Sequence, residues 1–145
     1  MIDDFRGEYS WLSNFHSVDI VLDGKVYPTT EHAFQAAKTY DKKDREKIRT
    51  CGRPSNAKKL GRKVAMSPDW ESGRRLSVME DITRQKFQNE ELRKRLLSTG
   101  TQDLVEGNTW GDCYWGVCRG RGKNNLGKIL MKIRSELRSA QEEKP

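Results

Sequence analysis

Apolar and polar residues alternate most clearly over residues 17–27. Aliphatic side chains occupy every second position from Val18 to Leu22, which is typical of a strand with one buried face. Asp23-Gly24 follows, and this dipeptide favours a tight turn because both positions tolerate a positive φ. A second arm of three residues then ends at Pro28. The pattern predicts a two-stranded hairpin.

The next signals are the starts and stops of helices. Thr29 or Thr30 can cap the first helix, Ser55 another, and Asn89 a third, which Gly100 would end. The predicted helices cover about 30–39, 55–60, 67–86 and 90–98, with a last amphipathic helix from 126 to 137. Short strands are predicted at 103–106 and 113–117. The fold class predicted is therefore α+β: a compact, mostly helical single domain over 1–138 with a small hairpin, followed by a frayed polar tail at 139–145.

The amino-acid composition limits the class of protein further. The chain has 145 residues, about one domain, with 34% charged residues and a net charge of +7. Ile, Leu, Val and Phe are scarce, but four Trp and four Tyr argue against disorder. There is neither an apolar run of about 18 residues for a membrane span nor a basic, apolar start for a secretion signal. We therefore expect a cytoplasmic protein without membrane contact, in which Cys51, Cys113 and Cys118 are reduced thiols with no metal role.

Residues 5–15 (FRGEYSWLSNF) alternate aromatic rings with hydroxyl, amide and guanidinium groups. Such a segment can stack on a base while it binds phosphate or ribose. The alternative is an N-terminal turn whose aromatics belong to the core.

Residues 31–38 (EHAFQAAK) place polar groups on one side of the first predicted helix. At about 100° per residue, Glu31, Gln35 and Lys38 share a face. This face is either a solvated stripe or a buried set. If it is buried, Glu31 and Lys38 perturb each other's pKa and become a candidate acid, base or nucleophile. On the residues alone, His32 is interpreted as structural.

Two later segments are also candidates. Residues 106–116 (EGNTWGDCYWG) combine three aromatic rings with Glu106, Asn108 and Asp112 between glycines, and the competing interpretation is an aromatic hairpin. Residues 120–127 (GRGKNNLG) form a glycine-rich basic loop before a helix, where anions are often held. This loop matches neither the dinucleotide fingerprint nor the P-loop, and a plain helix-entry turn explains it equally well.

Together these blocks, with KFQNEELRKRLLSTG and GKNNLGKILMKIR, resemble the NADAR (YbiA-like) family in the same order over about residues 5–138. The resemblance implies a compact, largely helical α+β fold and an N-glycosidase activity. The sequence contains no metal-binding motif, so we expect this activity to need neither a metal nor a cofactor. Some family members hydrolyse ribosylamino-pyrimidine intermediates of riboflavin biosynthesis. Others remove ADP-ribose from guanine bases in nucleic acid.

The resemblance also implies roles for individual residues. Glu31, Lys38 and Asp112 are the candidate catalytic residues. Lys38 is either a nucleophile, which needs a lowered pKa, or a charge partner of Glu31, which raises it. The candidate substrate-binding residues comprise phosphate and ribose contacts, stacking rings and polar neighbours of the site: Arg6, Tyr9, Ser13, Asn14, Phe15, His32, Gln35, Arg53, Asn108, Trp110 and Trp115.

Three functions stay open at this point. The first is removal of ADP-ribose from guanine, either in nucleic acid or in a nucleotide. The second is cleavage of a phosphoribosylamino-pyrimidine, and the third is a non-catalytic module that binds ADP-ribose. Arg53 and Lys58 lie in a basic region that can contact phosphate or form a solvated helix face. The charge of +7 favours a phosphate-bearing partner without choosing between a nucleic acid and a nucleotide.

Overall fold

The structure is a computed structural model and describes residues 1–143. These residues form two compact units. One unit is Asn14–Lys86, and the other combines Met1–Ser13 with the chain from Phe87 onward.

The Asn14–Lys86 unit opens with the predicted hairpin. Strand β1 (Ser17–Leu22) pairs antiparallel with β2 (Lys25–Thr29), and Asp23 and Gly24 turn the chain with φ values of 48° and 81°. Strand β2 continues through Pro28 instead of ending before it. The pairing is irregular between Ser17 and Ile20, opposite Pro28. This bulge accommodates the proline because proline has no N–H to donate to a ladder.

Helix α1 (Thr30–Ala37) begins where a threonine cap was predicted. The Thr29 hydroxyl accepts a hydrogen bond from the His32 backbone N–H at 3.1 Å. All eight residues of α1 are buried, because the hairpin and three further helices of this unit pack around it. The helix ends two residues before the predicted Thr39.

Two helices flank α1. Helix α2 (Lys42–Arg49) was not predicted, because Ile48 is its one buried residue and it has no apolar period. Asp41 caps it by accepting from the Asp44 N–H at 2.9 Å. The predicted Ser55 cap of helix α3 (Pro54–Gly61) is wrong: Arg53 is the N-cap and Ser55 lies inside the helix, since Pro54 suits the first helical position.

The helix predicted over 67–86 is interrupted. A π-helical turn (Trp70–Arg74) precedes helix α4 (Arg75–Lys86), and Gly73 within this turn has a φ of 135°. This backbone conformation favours glycine and ends one helix before the next begins. Met79, Ile82 and Lys86 of α4 are buried, whereas Leu76 stays exposed.

In the second unit, Gly7–Leu12 form a 3-10 helix, and α5 (Glu90–Ser98) has its predicted Asn89 cap. The predicted strand 103–106 is reduced to a single bridge between Ile2 and Leu104. The strand predicted at 113–117 is also wrong, because the observed strand begins only at residue 117. There β4 (Val117–Cys118) pairs parallel with β3 (Gly107–Asn108).

Helix α6 (Asn125–Glu142) completes this unit. Leu126, Leu130 and Ile133 are buried along it, and Arg134 donates to the Thr99 hydroxyl at 2.9 Å. The helix extends into the predicted tail as far as Glu142, while residues 144–145 of that tail lie outside the described part. The helices and short strands confirm the α+β class. Within residues 1–143, no helix is both long and apolar enough to cross a bilayer.

Lys86, at the end of α4, gives a prediction about stability. Its side chain is 1% exposed, and burial lowers the pKa of its amine to about 7. In the unfolded chain the pKa is about 10.4, so between these values the unfolded state binds more protons and stability rises with pH. Replacing Lys86→Met is expected to lower this slope by up to about 1.4 kcal/mol per pH unit.

Urea unfolding at intervals from pH 7 to 9.5 measures the two slopes. Well below pH 7 the amine is charged in both states, so its contribution to the pH dependence vanishes there. Lys128→Met replaces an exposed lysine of α6 and serves as the control. Equal slopes for Lys86→Met and the unmodified protein would contradict the prediction.

Candidate active site

Glu31 and Gln35 form the buried polar centre of the Asn14–Lys86 unit. One helical turn separates them on α1, and the Gln35 side-chain amide donates to Glu31 Oε1 at 2.8 Å. Glu31 is 7% and Gln35 5% exposed, so this part of the face is not a solvated stripe. The Glu31 backbone N–H also donates to the Asn14 carbonyl at 3.0 Å, which places the 14–16 segment beside the start of α1.

Lys38 is the C-cap of α1, one turn after Gln35. Burial lowers the pKa of its amine, although the nearby Glu31 charge acts to raise it. The positive charges of Arg62 and Arg75 lower it further, while Glu71 opposes them. The net direction is downward, which increases the fraction of neutral, nucleophilic amine at a given pH.

Three hydrogen bonds hold the backbone around Lys38. The Arg74 guanidinium donates to the Ala37 carbonyl, and the Ser67 N–H donates to the Lys38 carbonyl at 2.7 Å. The Arg45 Nε donates to the Thr39 carbonyl at 2.6 Å. Carbonyls at a helix C-terminus lack partners within the helix, so these donors fix the end of α1 and the position of Lys38.

Gly61, the last residue of α3, lies against Gln35. A Cβ at position 61 would lie 2.6 Å from Gln35 Cδ and closer still to Oε1. Gln35 Oε1 is buried without a hydrogen-bond partner in the structure. The glycine therefore allows α3 to pack directly on the amide that holds the Glu31 carboxylate.

Replacing Gly61→Ala is expected to destabilise the fold by about 1–3 kcal/mol, because the added methyl group displaces the Gln35 side chain. Urea unfolding measures this loss. The double variant Gly61→Ala/Gln35→Ala removes the two closest contacts, with Gln35 Oε1 and Cδ, so its cost is expected to be smaller than the sum of the two single costs. Additive costs would show that the methyl group does not act through Gln35.

His32 is buried, and both of its ring nitrogens have partners in the protein. Nδ1 lies 2.7 Å from the Thr29 hydroxyl and Nε2 lies 3.0 Å from the Gly52 carbonyl. Burial lowers its pKa, although the bond to Gly52 opposes this shift. His32 thus connects α1 to the loop before Arg53, which is itself exposed.

Asp112 lies in the other unit, in the loop between β3 and β4. Its Oδ1 accepts from the N–H groups of Tyr114 and Trp115 at 3.1 and 2.9 Å. Its backbone N–H donates to Asn108 Oδ1 at 3.0 Å, and Asn108 Nδ2 donates back to the Asp112 carbonyl at 2.8 Å. These bonds fix the shape of the loop. Trp110, between the two polar residues, is 55% exposed.

The N-terminal candidates are divided between the units. Arg6, Tyr9 and Ser13 belong to the same unit as Asp112, and Arg6 pairs with Asp4 at 2.9 Å. Asn14 and Phe15 begin the unit that contains Glu31, and the Phe15 ring is exposed.

Four residues that act on α1 from other elements were not predicted from the sequence: Gly61, Arg62, Ser67 and Arg75. The position of Gly61 against Gln35 depends on how two helices pack. The arginines were indistinguishable from surface charges. No local pattern marks any of these contacts.

Among residues 1–143, no group of three or more His, Cys, Asp or Glu side chains is arranged to hold a metal ion. All three cysteines are free thiols.

The chain is similar in sequence and in structure to known proteins. N-glycosidase YbiA of Escherichia coli (strain K12) is 44% identical over 134 residues, which cover 90% of this chain and 82% of YbiA. Riboflavin biosynthesis protein VVA0006 of Vibrio vulnificus (strain YJ016) is 37% identical over 133 residues, which are 89% of this chain but 36% of that protein. The NMR structure of E. coli YbiA aligns with a TM-score of 0.87 and 40% identity, covering 100% of this chain and 89% of YbiA.

The NADAR domain profile matches residues 3–138. This match confirms the resemblance drawn from the sequence motifs, and the similarity to YbiA extends it to the whole fold. The chain belongs to the NADAR domain family.

Proposed function

We propose that this chain is an N-glycosidase that removes ADP-ribose from ADP-ribosylated guanine. The N-glycosidase class is supported by the family membership and by relatives of that name. The observation that carries the proposal is the placement of the Glu31 carboxylate on the buried helix α1 and of Lys38 at its C-cap, where burial lowers the pKa of the lysine amine.

Glu31 suits the charge that develops in this reaction. Breaking the bond between C1 of ribose and a base nitrogen builds positive, oxocarbenium-like charge at C1. A carboxylate held in place by the Gln35 amide stabilises that charge without reorganising when it forms.

Lys38 supplies the nucleophile in the proposed mechanism. Its neutral amine attacks C1, the bond from C1 to the base breaks, and the base leaves with a proton from a general acid. Loss of a proton from the amine and opening of the ribose ring give an iminium between Lys38 Nζ and C1. Water then adds to C1 and releases the sugar and the amine. The roles of Arg6, Asp112 and Trp110 stay predictions from the sequence.

Release of ADP-ribose tests the proposal. The protein is incubated with an oligonucleotide that contains ADP-ribosylated guanine, and free ADP-ribose and restored guanine are followed by mass spectrometry. Stoichiometric appearance of both is expected. Binding at saturation without release would exclude this activity and would favour a non-catalytic ADP-ribose-binding module.

A second candidate substrate is a phosphoribosylamino-pyrimidine. The observation in its favour is the similarity to VVA0006, which is named a riboflavin biosynthesis protein. Competition between the two substrates distinguishes them, and a higher kcat/KM on the ADP-ribosylated guanine is expected.

A further inference from the structure

Tyr40 is a surface residue that lies two positions after Lys38 in the chain. It is 60% exposed, yet its ring contacts two arginines from other elements. The guanidinium carbon of Arg74, from the π-helical turn, lies 4.7 Å from the centroid of the Tyr40 ring. That of Arg45, from α2, lies 5.4 Å from the same centroid. Both distances are typical of a cation–π contact, so one exposed ring restrains two cationic side chains.

The same two arginines hold the backbone on either side of Lys38. Arg74 donates to the carbonyl of Ala37, the residue before Lys38. Arg45 Nε donates to the carbonyl of Thr39, the residue after it, at 2.6 Å. These hydrogen bonds depend on direction, so a guanidinium that rotates away from its acceptor releases the backbone at that point. The ring that restrains both guanidiniums therefore acts on both peptide groups that flank the lysine.

A second route leads from Tyr40 to the Lys38 amine through buried aromatic rings. The Arg74 guanidinium carbon also lies 5.6 Å from the centroid of the Trp70 ring. The centroids of Trp70 and Phe34 are 5.2 Å apart, and Lys38 Nζ lies 6.0 Å from the Phe34 centroid. Burial is the largest cause of the lowered pKa of this amine, so a displacement of these rings would hydrate the amine and raise its pKa.

The two arginines differ in what else restrains them. Arg45 pairs with Asp23 of the hairpin turn at 2.6 Å. Arg74 has no carboxylate partner among residues 1–143, and its contacts are the Ala37 carbonyl and the two rings. Loss of the Tyr40 ring is therefore expected to release Arg74 more than Arg45.

We propose that Tyr40 is a positioning residue for the reaction: its ring keeps two guanidiniums on the carbonyls that flank Lys38, and so keeps the amine in its reactive position. This proposal rests on the proposed function, in which that amine attacks C1 of the ribose. It extends the function by giving an exposed side chain a part in turnover. The contact requires the aromatic ring and not the hydroxyl group, and this requirement defines the variants that test it.

Tyr40→Leu removes the ring, and Tyr40→Phe retains it as the matched control. In Tyr40→Leu, kcat on ADP-ribosylated guanine is expected to fall about 5- to 50-fold with KM nearly unchanged, because a misplacement of about 1 Å costs up to about 100-fold. Tyr40→Phe is expected to turn over like the unmodified protein. Because the side chain is on the surface, neither substitution creates a cavity in the core.

The reactivity of the Lys38 amine gives a readout that needs no substrate. Acetylation by limiting acetic anhydride at intervals from pH 7 to 11, followed by peptide mass spectrometry, locates the midpoint of its titration in each variant. In Tyr40→Leu this midpoint is expected to move to higher pH, toward the usual 10.5, since the amine becomes more hydrated. The charges that act on it, from Glu31, Arg62, Glu71 and Arg75, are the same in all variants. A loss of global stability alone would leave the midpoint in place.

Normal turnover and an unchanged midpoint in Tyr40→Leu would overturn the proposal. A rise in KM with normal kcat would also overturn it, because a contact with substrate would then explain the effect. An equal loss in Tyr40→Phe would assign the effect to the hydroxyl group and reject the role of the ring. A shifted midpoint in Tyr40→Leu, with no release of ADP-ribose by the unmodified protein, would uphold the hold of Tyr40 on Lys38 and reject the proposed function.

Discussion

Replacing Lys38→Met is expected to lower kcat on ADP-ribosylated guanine by about 10³-fold or more, because methionine fills the same space without a nucleophile. Single-turnover kinetics measure the loss. Lys38→Arg separates the two roles considered for this residue: it keeps the positive charge but cannot form the iminium. We expect the arginine variant to be as inactive as the methionine variant.

Borohydride gives an independent readout of the same step. Reduction during turnover is expected to fix the sugar covalently to Lys38, and peptide mass spectrometry locates the adduct. The neutral amine is the reactive form, so kcat/KM is expected to rise with pH through the pKa of Lys38, which lies below its usual 10.5. An arginine variant with near-normal turnover, or an adduct on another residue, would show that Lys38 acts only as a charge.

Replacing Glu31→Gln is expected to lower kcat by about 10²–10⁴-fold while substrate affinity changes little. The substitution preserves shape and an oxygen that can accept from Gln35, so it removes the charge that stabilises the transition state. Kinetics give kcat, and calorimetry gives the affinity for ADP-ribose.

Glu46→Gln is the matched control for this variant. It removes an exposed carboxylate from α2 and is expected to leave kcat unchanged. Turnover by Glu31→Gln within tenfold of the unmodified protein would rule out an essential charge at this position. Loss of ADP-ribose affinity together with turnover would instead indicate a binding role.

The parts of the fold that the sequence predicts well are those encoded by short-range signals. Asp23-Gly24 determines the hairpin, Thr29 the start of α1 and Asn89 the start of α5, each through contacts within a few residues. Helix α2 has a capping residue, Asp41, but no apolar periodicity. Ile48 is its one buried side chain, so the sequence of α2 contains no amphipathic pattern that would predict a helix.

The candidate site shows the same division. Helical spacing predicts that Glu31, Gln35 and Lys38 share a face, and this part follows from the sequence alone. Whether that face is exposed to solvent or buried depends on elements that are distant in the chain. The packing of Gly61 on α3 against Gln35 is one example. The direction of the Lys38 pKa also depends on charges from residues 62 and 75, so spacing within α1 left the choice of role open.

The reciprocal hydrogen bonds between the Asn108 side chain and the Asp112 backbone define the shape of their loop. These bonds join the two ends of the loop through a side-chain amide and backbone groups, and the Trp110 side chain takes no part in them. Position 110 can therefore be varied while the polar frame is retained. A saturation library at this one position, screened by affinity for ADP-ribose, would test the stacking role predicted for Trp110.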